Sequence, residues 1–443
     1  MSSIVRQIVI AAATAGLVAS TAAAQLLPSL SVALPPVNVP MGNLPGVGPV
    51  LQNVLGSTDA QQAIAGSLDT VGGLSQSIAE SGPATLLELR RLRLQQLLRE
   101  NRRELESDGS GQPVRRGILV AIDPDPASLQ IAGAAGFRII SDESYPDLGL
   151  RTVRLAIPAG MNAREALKRL HSAAPRLVAD FDHVFEPAGG ALLPFAGALA
   201  AAGSADGARI GIIDGGVASH PSLAAASIEQ RGFSGNPQPT GHGTAVASLI
   251  VGNQRPFHGA ALGASLLVAD IYGGNRAAGS ASAVVRALGW LASKRPGVIN
   301  ISLVGPANAV VAAAIRQVRA RGIEIVAAVG NDGPAAPAQY PASYPGVIAV
   351  TGVDARGKAL VEAGKAAHLD FAAPGADMAA ALPGQGYARV RGTSFAAPLA
   401  AARLALVGSP QRLAAEAQRG KGRVGRGIVC GDCRVDPRTV RAK

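Results

Sequence analysis

The sequence predicts an α/β protein: a parallel sheet covered by helices on both faces, preceded by a small α+β domain. Three observations carry this. Apolar runs rich in Ile, Val, Ala and Leu occur at residues 209–213, 265–271, 298–303, 324–329 and 347–350, as expected of strands buried on both faces. They alternate with helical segments at 244–251, 281–294 and 308–321, the pattern of parallel strands joined by crossover helices. Ahead of them the texture differs: residues 116–187 hold short apolar runs at 117–122, 137–140 and 152–156 and a helical stretch at 163–171, which reads as a separate small domain.

Composition agrees. The 443 residues exceed one ordinary domain. Apolar residues make up 48% but aromatics only 3%, with 54 Gly, which favours tight turns around an interior of small and branched aliphatics. The formal charge of +11 is uneven: residues 403–443 carry 10 Lys/Arg against 3 Asp/Glu, whereas residues 1–205 carry 16 against 17. A basic C-terminal tail at 409–443, with Arg419, Lys421, Arg423 and Arg426, is either a solvated face or an anion-binding one. Nucleic-acid binding is excluded as a principal function, because the basic half lacks interleaved aromatics and any recognisable module.

The chain opens with the features of a secretory signal: Arg6, an apolar stretch at 8–19, and Ala22, Ala23 and Ala24 before Gln25. The stretch is shorter than a membrane span, so cleavage after Ala24, a secreted or periplasmic product and no transmembrane segment in the mature protein are expected. Residues 25–82 are rich in Pro, Gly, Ala and Ser and read as linker. Residues 83–107 read as an amphipathic helix opened by a capping box at Thr85 and Glu88, with Leu87, Leu94, Leu98 and Leu105 on one face. Such a helix docks on its own domain or meets a partner or membrane surface. The only cysteines, Cys430 and Cys433, are too few for a zinc site; in an oxidising compartment they form a local disulfide, or else a redox pair.

Three segments carry chemistry. A strand at 210–214 ends in Asp214, followed by Gly215 and Gly216, which permit a sharp exit from the sheet. His242, within Gly-His-Gly-Thr, opens an apolar helix, and Ser394, within Gly-Thr-Ser-Phe-Ala-Ala-Pro, opens another. A carboxylate, an imidazole and a hydroxyl at a helix start are the parts of a nucleophilic hydrolase. Taken singly, Asp214, Thr244 and Ser394 also suit helix capping.

In that order the segments resemble the subtilisin, or subtilase, family of serine proteases, and the resemblance covers residues 205–408. It implies a subtilisin-like sheet with Ser394 as nucleophile, His242 as base and Asp214 as the carboxylate that orients it. The run from Val298 to Pro306 resembles the family's substrate-cleft strand, which implies substrate contacts from Ser302, Leu303, Val304 and Gly305. The run Ala328, Val329, Gly330, Asn331 resembles the segment bearing the oxyanion-hole asparagine, which implies that role for Asn331 and cleft contacts from the three residues before it. Val304 stands where a glycine is usual, which narrows the pocket and favours cleavage after small residues. Ser222 stands where relatives often have a calcium-binding aspartate, so calcium is left open and no cofactor is predicted. Residues 117–187 loosely resemble subtilase propeptides. This implies autocleavage between about residues 187 and 208, with peptides, proteins and the chain's own propeptide as partners. The other function class to weigh is a catalytically silent, subtilase-fold binding protein.

Overall fold

The computed structural model describes residues 83–188, 191–194, 205, 207–384 and 386–440, all within one unit, Gly72–Lys443. The expected signal segment and linker lie outside the described residues.

The central sheet has seven strands, in the order Phe371–Pro374, Ile348–Val353, Glu324–Ala328, Val298–Ile301, Arg209–Asp214, Ser265–Asp270 and Ile228–Gly232. Every pairing is parallel. Strand alternation sends neighbouring residues to opposite faces. Ile212, Val268, Val298 and Val326 join one buried cluster, with helices Gly241–Val251 and Thr393–Val407. Ile213, Ala269, Ile299 and Ile325 join the other, with helices Ala281–Lys294 and Ala309–Ala320. Covered faces explain why the apolar runs are continuous. The edge strand Ile228–Gly232, largely exposed and polar, is one that the apolar-run criterion misses.

The small domain runs β-α-β-β-α-β: Pro113–Ile122, Pro126–Ala134, Arg138–Tyr145, Leu150–Ala156, Ala163–Ala173 and Val178–His183. Its sheet is antiparallel throughout, and a short strand, Leu105–Ser107, pairs with Pro113–Ile122. Helix starts are fixed locally: Asp125 accepts from Ser128 N, and Asn162 and Glu165 form a reciprocal capping box. Leu119 and Ala121 pack with the two helices of this domain. Their neighbours Val120 and Ile122, with Leu148 and Leu150, belong instead to the catalytic domain's second cluster.

Two expectations are corrected. The N-terminal helix runs Pro83–Glu100, starting before Thr85 and ending before Leu105, which lies in a strand. Its buried leucines are Leu86 and Leu94, while Leu87 is exposed, because the helix turns Arg90 and Arg93 inward towards Asp332. It docks on its own chain. The C-terminal region, in turn, is no detached tail. Residues 427–429 bond to Ala372 on the sheet edge, and Val429, Val435 and Val440 are buried. Apolar residues interleaved with the basic ones cover that edge, leaving Arg419, Lys421, Arg423 and Arg426 exposed. Cys430 and Cys433 form a disulfide. Among the described residues no helix is long and apolar enough to cross a membrane.

Candidate active site

Asp214 ends the strand Arg209–Asp214, next to the middle of the sheet, and is buried. Its Oδ1 accepts from Gly215 N at 2.7 Å. Helix Gly241–Val251 begins beside it, capped by Thr240, whose hydroxyl accepts from Gly243 N at 3.0 Å. The approach is possible only without side chains: a Cβ on Gly243 would lie 2.3 Å from Gly215 O, and one on Gly215 would lie 2.5 Å from Thr240 Oγ1. These glycines serve close approach as well as the turn. His242, in the first turn, directs Nδ1 at Asp214 Oδ1 and Oδ2, 2.9 and 2.8 Å away. Nδ1 is therefore the donor. Its other ring nitrogen, Nε2, is buried and has no hydrogen-bond partner among the described residues.

Ser394 is the second residue of helix Thr393–Val407, entered through Gly392 at φ 144°. Helix residue Pro398 has no N–H, which releases the carbonyl four residues earlier from the helical ladder. That carbonyl, Ser394 O, accepts from Ser302 Oγ at 2.9 Å, and Ser302 Oγ accepts from Asn300 Nδ2 at 2.9 Å. The helix start is thus pinned to the strand beside Asp214. The ring of Phe395 lies against that of His242, with centroids 5.2 Å apart. Asn331 closes the group: its Oδ1 accepts from Thr393 N at 2.9 Å, and Thr393 Oγ1 donates to Gly330 O at 3.1 Å. The amide Nδ2 of Asn331 donates to the carbonyl of Ala188.

Ala188 belongs to the segment leaving the small domain, which runs through a cleft as a central strand. On one side Val184 bridges to Ser280, and Phe185 N donates to Gly279 O at 2.7 Å. On the other, Glu186–Pro187 pairs antiparallel with Leu303–Val304, and Ala188 N donates to Ser302 O at 2.9 Å. Phe185 is fully buried, and its ring lies 2.6 Å from where a Gly305 Cβ would sit. Beyond the cleft, Ala191–Pro194 pairs antiparallel with Tyr387–Arg391, which leads into Ser394.

The sequence-derived cleft residues are therefore grouped, with one distinction. Val304 and Ala328 share a buried cluster with Ala188, while Val329 sends its side chain to the opposite cluster. Val304 reaches to 3.2 Å from the place a Gly330 Cβ would take, so its branched side chain spans the slot between the two cleft segments. At the place considered for calcium, His220 Nδ1 lies 2.8 Å from Ser222 Oγ and Nε2 lies 3.0 Å from Gly386 O. An imidazole and a hydroxyl already bonded to each other do not fit a hard cation that prefers carboxylates. The sequence resemblance implies a prosegment as partner, but it identifies neither Phe185–Ala188 as the residues in the cleft nor the ion pairs beside them. Arg93 reaches both Glu186 (3.4 Å) and Asp332 (3.0 Å), and Arg90 reaches Asp332 at 3.1 Å. No local pattern marks such long-range partners.

The parallel sheet, with a part-buried acid-imidazole pair at a strand end and a serine at the start of a neighbouring helix, matches a known class. The model of the subtilase family, peptidase S8, matches residues 205–418. Subtilisin Savinase of Lederbergia lenta is 33% identical over 207 residues, covering 45% of this chain and 76% of that protein. Alkaline elastase YaB of a Bacillus strain is 34% identical over 213 residues, covering 45% of this chain and 54% of that protein. Fervidolysin from Fervidobacterium pennivorans, a keratinolytic enzyme related to subtilisin, aligns with a TM-score of 0.60 at 19% identity, over 71% of this chain and 60% of that one. At that identity the likeness is one of fold, and it takes in more than the catalytic domain. The chain belongs to the subtilase family and is a serine-type endopeptidase.

Proposed function

We propose that the protein is an exported endopeptidase, made as a precursor and matured by its own active site, with Asp214, His242 and Ser394 as the triad. Asp214 holds the His242 Nδ1 proton, which leaves Nε2 free to accept a proton from the attacking hydroxyl. Ser394 attacks a peptide carbonyl, and His242 passes the proton to the leaving amine. Water then releases the acyl-enzyme. Asn331 donates to the developing oxyanion; a subtilisin that loses such a donor loses about 10²- to 10³-fold in turnover.

The observation that carries this reading is the seating of the chain's own segment. Ala188 presents its carbonyl to Asn331 Nδ2 while its N–H is held by Ser302 O, as a substrate's would be. The small domain supports the precursor reading through two carboxylates at helix starts. Asp182 accepts from Ser282 N at 2.8 Å and Asp180 from Ala309 N at 2.7 Å, where the helix dipoles favour negative charge. Export rests on Arg6, the apolar stretch and the Ala22–Ala24 site. Peptides and proteins are the proposed substrates and the cleaved prosegment the proposed partner; no nucleic acid is invoked.

Expressed with its export signal, the protein should shorten itself and react with a fluorophosphonate probe. Ser394→Ala should do neither. A wild-type protein that folds but stays full length and unlabelled would contradict the proposal.

A further inference from the structure

We infer that maturation cuts the peptide bond between Ala188 and Gly189, and that Val304 sets a preference for a small residue on the amino side of that bond. The inference rests on the endopeptidase reading above and adds the bond and its selectivity. Composition alone leaves the bond open, since 14 of the 21 residues from Ala188 to Ala208 are Ala or Gly.

Three contacts single out one carbonyl. Upstream of it, Phe185 to Ala188 is held as a strand between Gly279 and Ser302–Val304. At it, Ala188 O accepts from the amide of Asn331, which is also fixed through Oδ1 to Thr393 N, beside Ser394. Downstream, Ala191 already lies opposite Arg391 on the strand that leads to Ser394. The chain is thus gripped on both sides of Ala188, with only two residues between the grips.

The side chains accord with the backbone. Ala188 is 2% exposed and lies in one buried cluster with Val304 and Ala328. With Val304 within 3.2 Å of the Gly330 Cβ position and Ala188 buried in the same cluster, an aromatic side chain at position 188 would have to displace its neighbours. Three residues upstream, Phe185 is buried against Gly305, where any side chain would collide with its ring. The site therefore takes an aromatic residue three positions before a small one.

In the step, Ser394 Oγ bonds to the Ala188 carbonyl carbon while its proton passes to His242 Nε2. The bond from that carbon to Gly189 N breaks, and the same proton goes to the departing amine. Water then hydrolyses the ester, giving an Ala188 carboxylate and restoring the Ser394 hydroxyl. No further reactant is required.

The test is mass spectrometry of the matured wild-type protein, joined to hydrolysis of two peptide anilides, Phe-Glu-Pro-Ala and Phe-Glu-Pro-Phe. The expected N-terminus is Gly189, with kcat/KM favouring the Ala peptide by about 100-fold, the discrimination an apolar pocket achieves. Val304→Gly should narrow or reverse that ratio. An N-terminus elsewhere on a Ser394-dependent, probe-labelled product would overturn the bond while leaving the endopeptidase reading intact. A ratio near one, or one unmoved by Val304→Gly, would overturn the role of Val304. Absence of both processing and labelling would remove the inference together with its foundation.

Discussion

In the catalytic sheet, Ile212 and Ile213 point to opposite clusters, and helices of the same domain complete both. In the small sheet, Leu119 and Val120 also point oppositely, but only Leu119 meets its own helices; Val120 is completed by the catalytic domain. The catalytic sheet is therefore covered on both faces by helices of its own domain, whereas one face of the small sheet is covered by the catalytic domain, in a cluster the two share. A cleaved small domain that left would expose Val120, Ile122, Leu148 and Leu150 to water, which opposes its release. On the proposed maturation, the same geometry that presents the segment for cutting would keep the cut piece in place.

The comparison breaks most readily at the shared face. Val120→Asp puts a charge among apolar residues without a partner, which costs several kcal/mol, yet spares the Leu119 side. In the full precursor it should lower retention of the cleaved prosegment by about 100-fold or more, read as loss of co-elution with the matured enzyme. Undiminished co-elution would show that the small domain does not depend on that face.

A smaller effect is expected at the ion pairs. Arg93 bridges Glu186 in the cleft segment to Asp332, and Arg90 shares Asp332. Arg93 is 30% exposed while Asp332 is nearly buried, so solvent weakens one end of the pair. Arg90→Ala with Arg93→Ala should speed prosegment dissociation about 3- to 10-fold, mainly through the off-rate. Dissociation at the wild-type rate would mean that the N-terminal helix only rests on the surface.

The smallest effect is one of pH, confined to the small domain. Burial pushes the Asp108 carboxyl upward, but hydrogen bonds from His183, Ser110 and Gln112 outweigh it and lower it to about 2. A depressed carboxylate stabilises the fold above its unfolded value, near 3.9, and that contribution is lost as pH falls towards 2. Asp108→Asn should therefore flatten the acid limb of prosegment stability below about pH 4, measured by hydrogen exchange in the Ser394→Ala precursor. An unchanged limb would assign the acid sensitivity to other groups.

Legibility from sequence followed the range of the interactions. The five apolar runs foretold central strands because burial on both faces writes itself into consecutive residues. Asp214, His242 and Ser394 are legible as candidates because each sits at a strand end or helix start flanked by short, recognisable residues, whereas Asn331, in the loop beyond Glu324–Ala328, is a candidate only through the resemblance of its segment. The cap of the His242 helix is Thr240, one position before the Gly-His-Gly-Thr motif. The ion pairs of Arg90 and Arg93 are not legible, since nothing near them in sequence reveals Asp332. The proposed scissile bond is hidden for a related reason: Ala188 differs from its many Ala neighbours only in what the fold brings to its carbonyl.

The central claim is that Ser394, activated by His242 and Asp214, is the nucleophile of a peptide-cleaving site. The most direct measurement is peptide mapping of the folded, exported protein after reaction with a fluorophosphonate. The account predicts one adduct, on Ser394, lost in Ser394→Ala and strongly slowed in Asp214→Asn. An adduct on another residue, or equal labelling in all three proteins, would contradict it.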